Sequence, residues 1–161
     1  MRIAYFSDTF YPQLNGVVTS ILNSSKILAE RGHKIKIFTI KTNINKLKLH
    51  KNISVVKYTS IDAFRYPGYE LVIPRSLHCL NEIKKFKPDA IHIHTPTLLG
   101  WEAVVCGRLL NIPTIGTYHT LIPDFLNHSP IPKIGELVIK KKLAWKYTNN
   151  FIDSSRALDH A

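Results

Sequence analysis

No stretch of the chain approaches the roughly 20 consecutive apolar residues that span a bilayer, so no transmembrane helix is predicted. Met1-Arg2 leads straight into a short strand-like run, without the apolar segment and small-residue cleavage site of a secretory leader, and none is expected. Only two cysteines occur among 161 residues. Cys79 and Cys106 lack metal-type spacing and lie in apolar, helix-like contexts, so they read as buried thiols in a reducing cytosol. There is no G-x-G-x-x-G, which argues against a dinucleotide dehydrogenase, and no G-K-[ST], which argues against a P-loop ATPase. No serine or cysteine in a nucleophile-like context accompanies the histidines, so a hydrolase triad is not expected. Internal repeats and low-complexity linkers are absent as well.

Acidic residues are also scarce: 11 Asp and Glu stand against 22 Lys and Arg, a formal net charge of +11. Such a balance favours a polyanionic partner, whether nucleic acid, an anionic membrane or a phosphorylated substrate. The plain alternative is a soluble protein of basic habit. The lysines concentrate in 41–51, 84–87 and 133–146, which favours a surface that meets something anionic.

What is present is strand alternating with helix. Arg2–Ser7 is a short apolar run with a buried-strand pattern, and a Pro12/Gly16 loop follows. Val18, Ile21, Leu22, Ser25, Leu28 and Ala29 then recur at spacings of three and four, a helix face stopped by Arg31-Gly32-His33. Strands are predicted at Lys34–Ile40, Ile53–Tyr58, 90–94 and 113–119. Helices are predicted at about 75–86, with Leu77, Leu80 and Ile83 on one face, at 100–110, and at 133–148, with a turn at 66–69. Units of this kind build a parallel sheet covered on both faces, so the expected fold is a doubly wound α/β domain. Its ligands belong beyond the carboxyl ends of the strands.

Three loops lie at those ends. Residues 8–16 (DTFYPQLNG) run directly into a helix, whose unpaired N–H groups and positive dipole end suit a phosphate. Gly16 there lets backbone approach closely, although a glycine before a helix is also a plain turn. His92 and His94 share a strand face, and with His119 from the third loop (TYHT) they could imitate a zinc site. The competing readings are a packed core histidine, or an imidazole that hydrogen-bonds a substrate hydroxyl and shares a proton near neutral pH. No metal site is expected.

The ordered runs MRIAYFSDTFYPQLNGVVTSI, AERGH, KPDAIHIHTPTLLGWEA and IPTIGTYHTLIPDFL resemble the N-terminal domain of glycosyltransferase family 4 over roughly residues 1–148. Within it they look most like bacterial diacylglycerol glucosyltransferases. The resemblance implies a GT-B architecture, of which this chain would be the Rossmann-like, acceptor-binding half. It implies transfer of a hexose, with glucose from UDP-glucose as the subfamily's choice, to a membrane lipid such as diacylglycerol. Anomeric configuration would be retained, with no cofactor beyond the nucleotide sugar as co-substrate.

Carried over residue by residue, Gly16, with Asn15 beside it, matches the loop that approaches the donor diphosphate. His119 matches the histidine that reaches the donor sugar near the reacting carbon. Thr120 follows it in the cleft wall, and Asp124 lies on the acceptor side. After Thr148 the chain departs from the family pattern and reads NNFIDSSRALDHA. The final strand of the first domain is therefore expected to be weak or absent, and the C-terminal donor domain missing. The chain alone should have little transferase activity unless a separately encoded donor domain is supplied. A non-catalytic module that binds lipid or a membrane surface is the alternative.

A lipid acceptor gives the basic clusters a role. Lys133, Lys140, Lys142 and Lys146 beside Trp145 make a candidate interfacial helix for an anionic membrane, and the same stripe could instead pack on the sheet. The expected location is cytoplasmic and peripheral to the membrane. No nucleic-acid motif is present, and the aromatics are not interleaved with the lysines as a stacking platform requires, so no nucleic-acid partner is expected.

Overall fold

The alternation in the first strand sets the two-sided core. In β1 (Arg2–Ser7), Ala4 and Phe6 point to one face of the sheet and Tyr5 to the other, and all three are buried. The computed structural model describes residues 1–40, 42, 44, 47–62, 70–117 and 119. The elements after β1 are α1 (Gly16–Glu30), β2 (Lys34–Ile40), β3 (Ile53–Tyr58), β4 (Ser60–Asp62), β5 (Glu70–Val72), α2 (Ser76–Phe86), β6 (Ala90–Ile93), α3 (Leu98–Leu110) and β7 (Thr114–Gly116).

Five of the strands form one parallel sheet in the order β3-β2-β1-β6-β7. Chain order runs outward from β1 to β3 on one side and from β6 to β7 on the other. The direction therefore reverses between β1 and β6, the place where ligands bind in open α/β sheets. One core gathers Ala4, Phe6, Phe38, Ile40, Ile91 and Ile93 with Cys79 and Ile83 of α2 and Leu99 and Ala103 of α3. Within it Phe6 and Phe38 stack with ring centroids 4.4 Å apart. The opposite core sets Tyr5, Ile35 and Ile37 against Ile21 of α1. Both faces carry helices, as a doubly wound sheet requires.

The expected elements recur with altered ends. The helix over 100–110 begins two residues earlier, at Leu98, and the strand over 113–119 is shortened to Thr114–Gly116. In α2 the buried positions are Cys79 and Ile83, whereas Leu77 is 80% exposed, so the expected apolar face is rotated away from that residue. The short antiparallel pair β4–β5 was not anticipated. The turn at 66–69 and the helix at 133–148 lie outside the described residues. α1 ends as expected: Gly32 takes a φ of 86°, a left-handed conformation that favours glycine, and its N–H donates to the Ala29 carbonyl. Cys79 and Cys106 are free, buried thiols on α2 and α3 with sulfurs 3.5 Å apart.

Among the described residues no helix is long and apolar enough to cross a membrane.

Candidate functional site

Two clusters occupy the carboxyl end of the sheet around the reversal point. The first is built on Asp8, which follows β1 directly. Its backbone N–H donates to Thr95 Oγ1 at 2.8 Å, and that hydroxyl donates back to Asp8 Oδ2 at 3.1 Å. Thr97 also donates its hydroxyl to Asp8, and the Leu99 N–H lies 3.3 Å from the carboxylate. Thr97 is the N-cap of α3 by position but makes no side-chain capping bond of its own. A carboxylate from a different element thus satisfies the helix's orphan donor. Burial pushes the Asp8 carboxyl above its ordinary range, and the bonds from Thr97, Thr95 and Leu99 partly offset that push.

The loop after Asp8 is tied down from several directions. Ser7 donates its hydroxyl to the Thr9 carbonyl at 2.8 Å, and Thr9 donates its own to Gln13 at 2.6 Å. Thr42, just past β2, donates to the Tyr11 carbonyl. Asn15 is the N-cap of α1: its Oδ1 accepts from the Val18 N–H at 3.0 Å and its Nδ2 donates to Thr9 Oγ1 at 3.0 Å. Both ends of the Asn15 amide are therefore engaged in shaping the loop. Gly16 opens α1 and is exposed, and a Cβ added there would meet no protein atom within 4 Å. Among the described residues, nothing crowds this helix start, which suits approach by a phosphate.

The second cluster is aromatic. His92 and His94 alternate out of β6 onto the face that carries Tyr5, as their spacing predicted. The His94 ring lies 4.7 Å from Tyr5 and 4.1 Å from His92, centroid to centroid. His119, beyond β7, stacks on His94 at 5.4 Å, with Nε2 3.1 Å from His94 Nδ1. His92 Nε2 lies 2.6 Å from Thr117 Oγ1. Burial, with the neighbouring histidines, lowers the pKa of His92 to about 4 and that of His94 to about 3. Burial lowers that of His119 as well. All three imidazoles are neutral at pH 7.

His92 Nε2 faces Thr117 while His94 Nδ1 and His119 Nε2 face each other, and among the described residues no group of three His, Cys, Asp or Glu could hold a metal ion. What the arrangement offers is a set of neutral imidazoles and hydroxyls beside a free helix start. Such groups can bind hydroxyl and phosphate oxygens without a metal.

The sequence candidates are thus placed unevenly. Gly16, Asn15 and His119 all fall at the carboxyl end of the sheet, on the loops after β1 and β7. Thr120, Asp124, Lys133, Lys140, Lys142, Trp145 and Lys146 lie outside the described residues. The structure adds Asp8, Thr95 and Thr97, which the sequence did not single out, and gives His94, already a candidate by its strand face, a contact with His119. Their one legible signal was position, since they lie on the loops that leave β1 and β6.

The profile of Glycosyltransferase Family 4 matches residues 14–159. An alpha-monoglucosyldiacylglycerol synthase of Streptococcus pneumoniae is 31% identical over 80% of this chain and 29% of its own length. A GDP-mannose-dependent alpha-mannosyltransferase of Mycobacterium tuberculosis is 28% identical over 82% of this chain and 35% of its own. The chain therefore spans about a third of the length of these relatives. Among solved structures, a sucrose-phosphate synthase from Thermosynechococcus elongatus superposes with a TM-score of 0.56 at 18% identity, over 90% of this chain and 39% of that one. That likeness concerns the fold alone, and it agrees with a Rossmann-like half of a GT-B architecture.

Proposed function

Because the chain belongs to glycosyltransferase family 4, we propose that it forms the acceptor-side domain of a retaining transferase that moves a hexose from a nucleotide sugar to a membrane lipid. The observation that carries this reading is the convergence of an unobstructed helix start at Gly16 and a partly buried imidazole at His119 on one end of the sheet. Gly16 and the α1 N–H groups receive the diphosphate, and Asn15 holds that loop in shape. His119 hydrogen-bonds the sugar near the reacting carbon. By the family resemblance, Thr120 is assigned to the donor and Asp124 to the acceptor. Orientation of the acceptor hydroxyl and stabilisation of the departing diphosphate supply the rate enhancement, with no metal required.

The donor is glucose from UDP-glucose, in keeping with the glucosyldiacylglycerol relative. A second reading, mannose from GDP-mannose, is favoured by the mannosyltransferase relative. A second domain completes the donor pocket, either joined to this chain or separately encoded. The protein works at the cytoplasmic membrane surface, where Lys133, Lys140, Lys142, Lys146 and Trp145 meet anionic headgroups. The alternative, a binding module without catalysis, shares that surface and lacks only the transfer step.

The test incubates the chain with and without the C-terminal part of a full-length relative, labelled UDP-glucose or GDP-mannose, and diacylglycerol vesicles. Sugar incorporated into lipid only with both parts present, and lost in His119→Ala, supports the transferase and identifies the donor. Vesicle binding with no incorporation from either nucleotide sugar would overturn it in favour of the binding module.

A further inference from the structure

The histidines of the site differ in what their ring nitrogens can reach. His94 is 2% exposed; its Nδ1 lies 3.1 Å from Nε2 of His119, and its Nε2 is buried with no hydrogen-bond partner among the described residues. A single proton sits between the two facing nitrogens, since two bare lone pairs would repel at that distance. It belongs to one ring or the other, and the choice sets the tautomer of both.

If His119 donated, the neutral His94 would carry its own proton on Nε2, where a buried N–H faces no acceptor. If His94 donates, its Nε2 keeps only a buried, unpartnered lone pair. A buried N–H without an acceptor is the rarer and costlier orphan. A doubly protonated His94 is excluded at neutral pH, because burial and the adjacent imidazoles hold its pKa near 3.

We propose that His94 is a positioning residue: it donates its Nδ1–H to Nε2 of His119 and so holds His119 as the Nδ1–H tautomer. The tautomer assignment follows from the contact between the two rings and the neutral charge of His94, and does not depend on any ligand. Its use, an uncharged N–H on His119 offered to an oxygen of the nucleotide sugar, rests on the reading of His119 given above. Fixing the tautomer before the ligand arrives removes a reorganisation step from binding, as the partner of an active-site imidazole commonly does.

Long-range ¹H–¹⁵N correlation of the chain with ¹⁵N-labelled histidine, at pH 7.5, reads the tautomers directly. The expected result is a protonated Nδ1 and a pyridine-type Nε2 for both His94 and His119. His119 protonated at Nε2, with the His94 Nε2–H directed at the Tyr5 ring, would overturn the proposal. The spectrum of the unaltered chain decides this even where a variant fails to fold.

His94→Asn keeps an N–H close to the Nδ1 position and should preserve the His119 tautomer, whereas His94→Leu should release it. In binding of UDP-glucose or GDP-mannose by the chain combined with the C-terminal part of a full-length relative, His94→Leu and His119→Ala should each weaken affinity about tenfold, the effect of one hydrogen bond, with His94→Asn near the original. A loss in His119→Ala alone, with His94→Leu unchanged, would overturn the positioning role. Loss in neither variant, or no binding by the unaltered chain with that part present, counts against the assigned role of His119 and leaves the tautomer result standing.

Discussion

Single side chains at the sheet's carboxyl end carry the sharpest expectations. Gly16 is the simplest, because an added Cβ meets no described residue within 4 Å and alanine is the better helix former. Gly16→Ala should leave the thermal midpoint unchanged or slightly raised while weakening nucleotide-sugar binding at least tenfold, about 1.4 kcal/mol. Calorimetry of the chain, and titration in the presence of the C-terminal part of a full-length relative, separate the two effects, and equal binding by both chains would remove Gly16 from the site. The histidines predict a pH response whose sign is fixed. His92 and His94 have folded pKa values near 4 and 3, below the ordinary 6.5. The unfolded chain therefore takes up protons first as pH falls. Their stabilising contribution is complete above pH 6.5 and is lost progressively from there down to about pH 3. At about 1.4 kcal/mol per pKa unit, even a fraction of these depressions is measurable. The denaturation midpoint should fall between pH 6.5 and 4, and less steeply in His94→Asn.

At the scale of elements, the connections between strands and helices are made by residues that belong to neither partner's local sequence. α3 is capped by Asp8, which is 91 residues away from Leu99 in the chain. Asp8→Ala strips Thr95 and Thr97 of their shared acceptor and leaves the Leu99 N–H orphaned. It should destabilise the fold by about 1–2 kcal/mol, the range for a lost N-cap, and protection of the first-turn amides of α3 in hydrogen exchange locates the effect. An equal loss spread over α1 would show that the cap is not the cause. The far end of α3 depends on Gly107. A Cβ there would stand 2.3 Å from Thr114 Oγ1 and 3.2 Å from the Ile112 carbonyl, because the helix packs closely on β7. Thr114 is buried and already donates to that carbonyl. Gly107→Ala should therefore cost about 1–3 kcal/mol as an overpacking change, in contrast with Gly16→Ala, and urea denaturation distinguishes them.

For the whole molecule, the net charge of +11 predicts binding to vesicles containing phosphatidylserine that weakens steeply between low and physiological salt. Sedimentation with neutral and anionic vesicles measures it. Retention insensitive to salt would point to apolar insertion rather than charge. The doubly wound architecture was readable in advance because each strand is a short apolar run and each helix a periodic stripe, signals that depend only on near neighbours. The hairpin β4–β5 was not, since three-residue strands carry too little pattern to register. Leu77 shows a related shortfall: periodicity located a helix but did not say which of its apolar residues would meet the sheet, because that depends on how α2 lies against it. In the site, motif resemblance reached Gly16 and His119. Asp8, Thr95 and Thr97 escaped it because their meaning lies in a contact between the ends of β1 and β6. The sequence by itself determined the alternation of elements, the positive charge, the buried thiols and the family. Only the tertiary structure decided that β1 and β6 lie side by side, that Asp8 caps a helix from another unit, and that His94 touches His119. Hydrophobic periodicity is local, whereas a hydrogen bond across adjacent parallel strands exists only once the sheet order has been set.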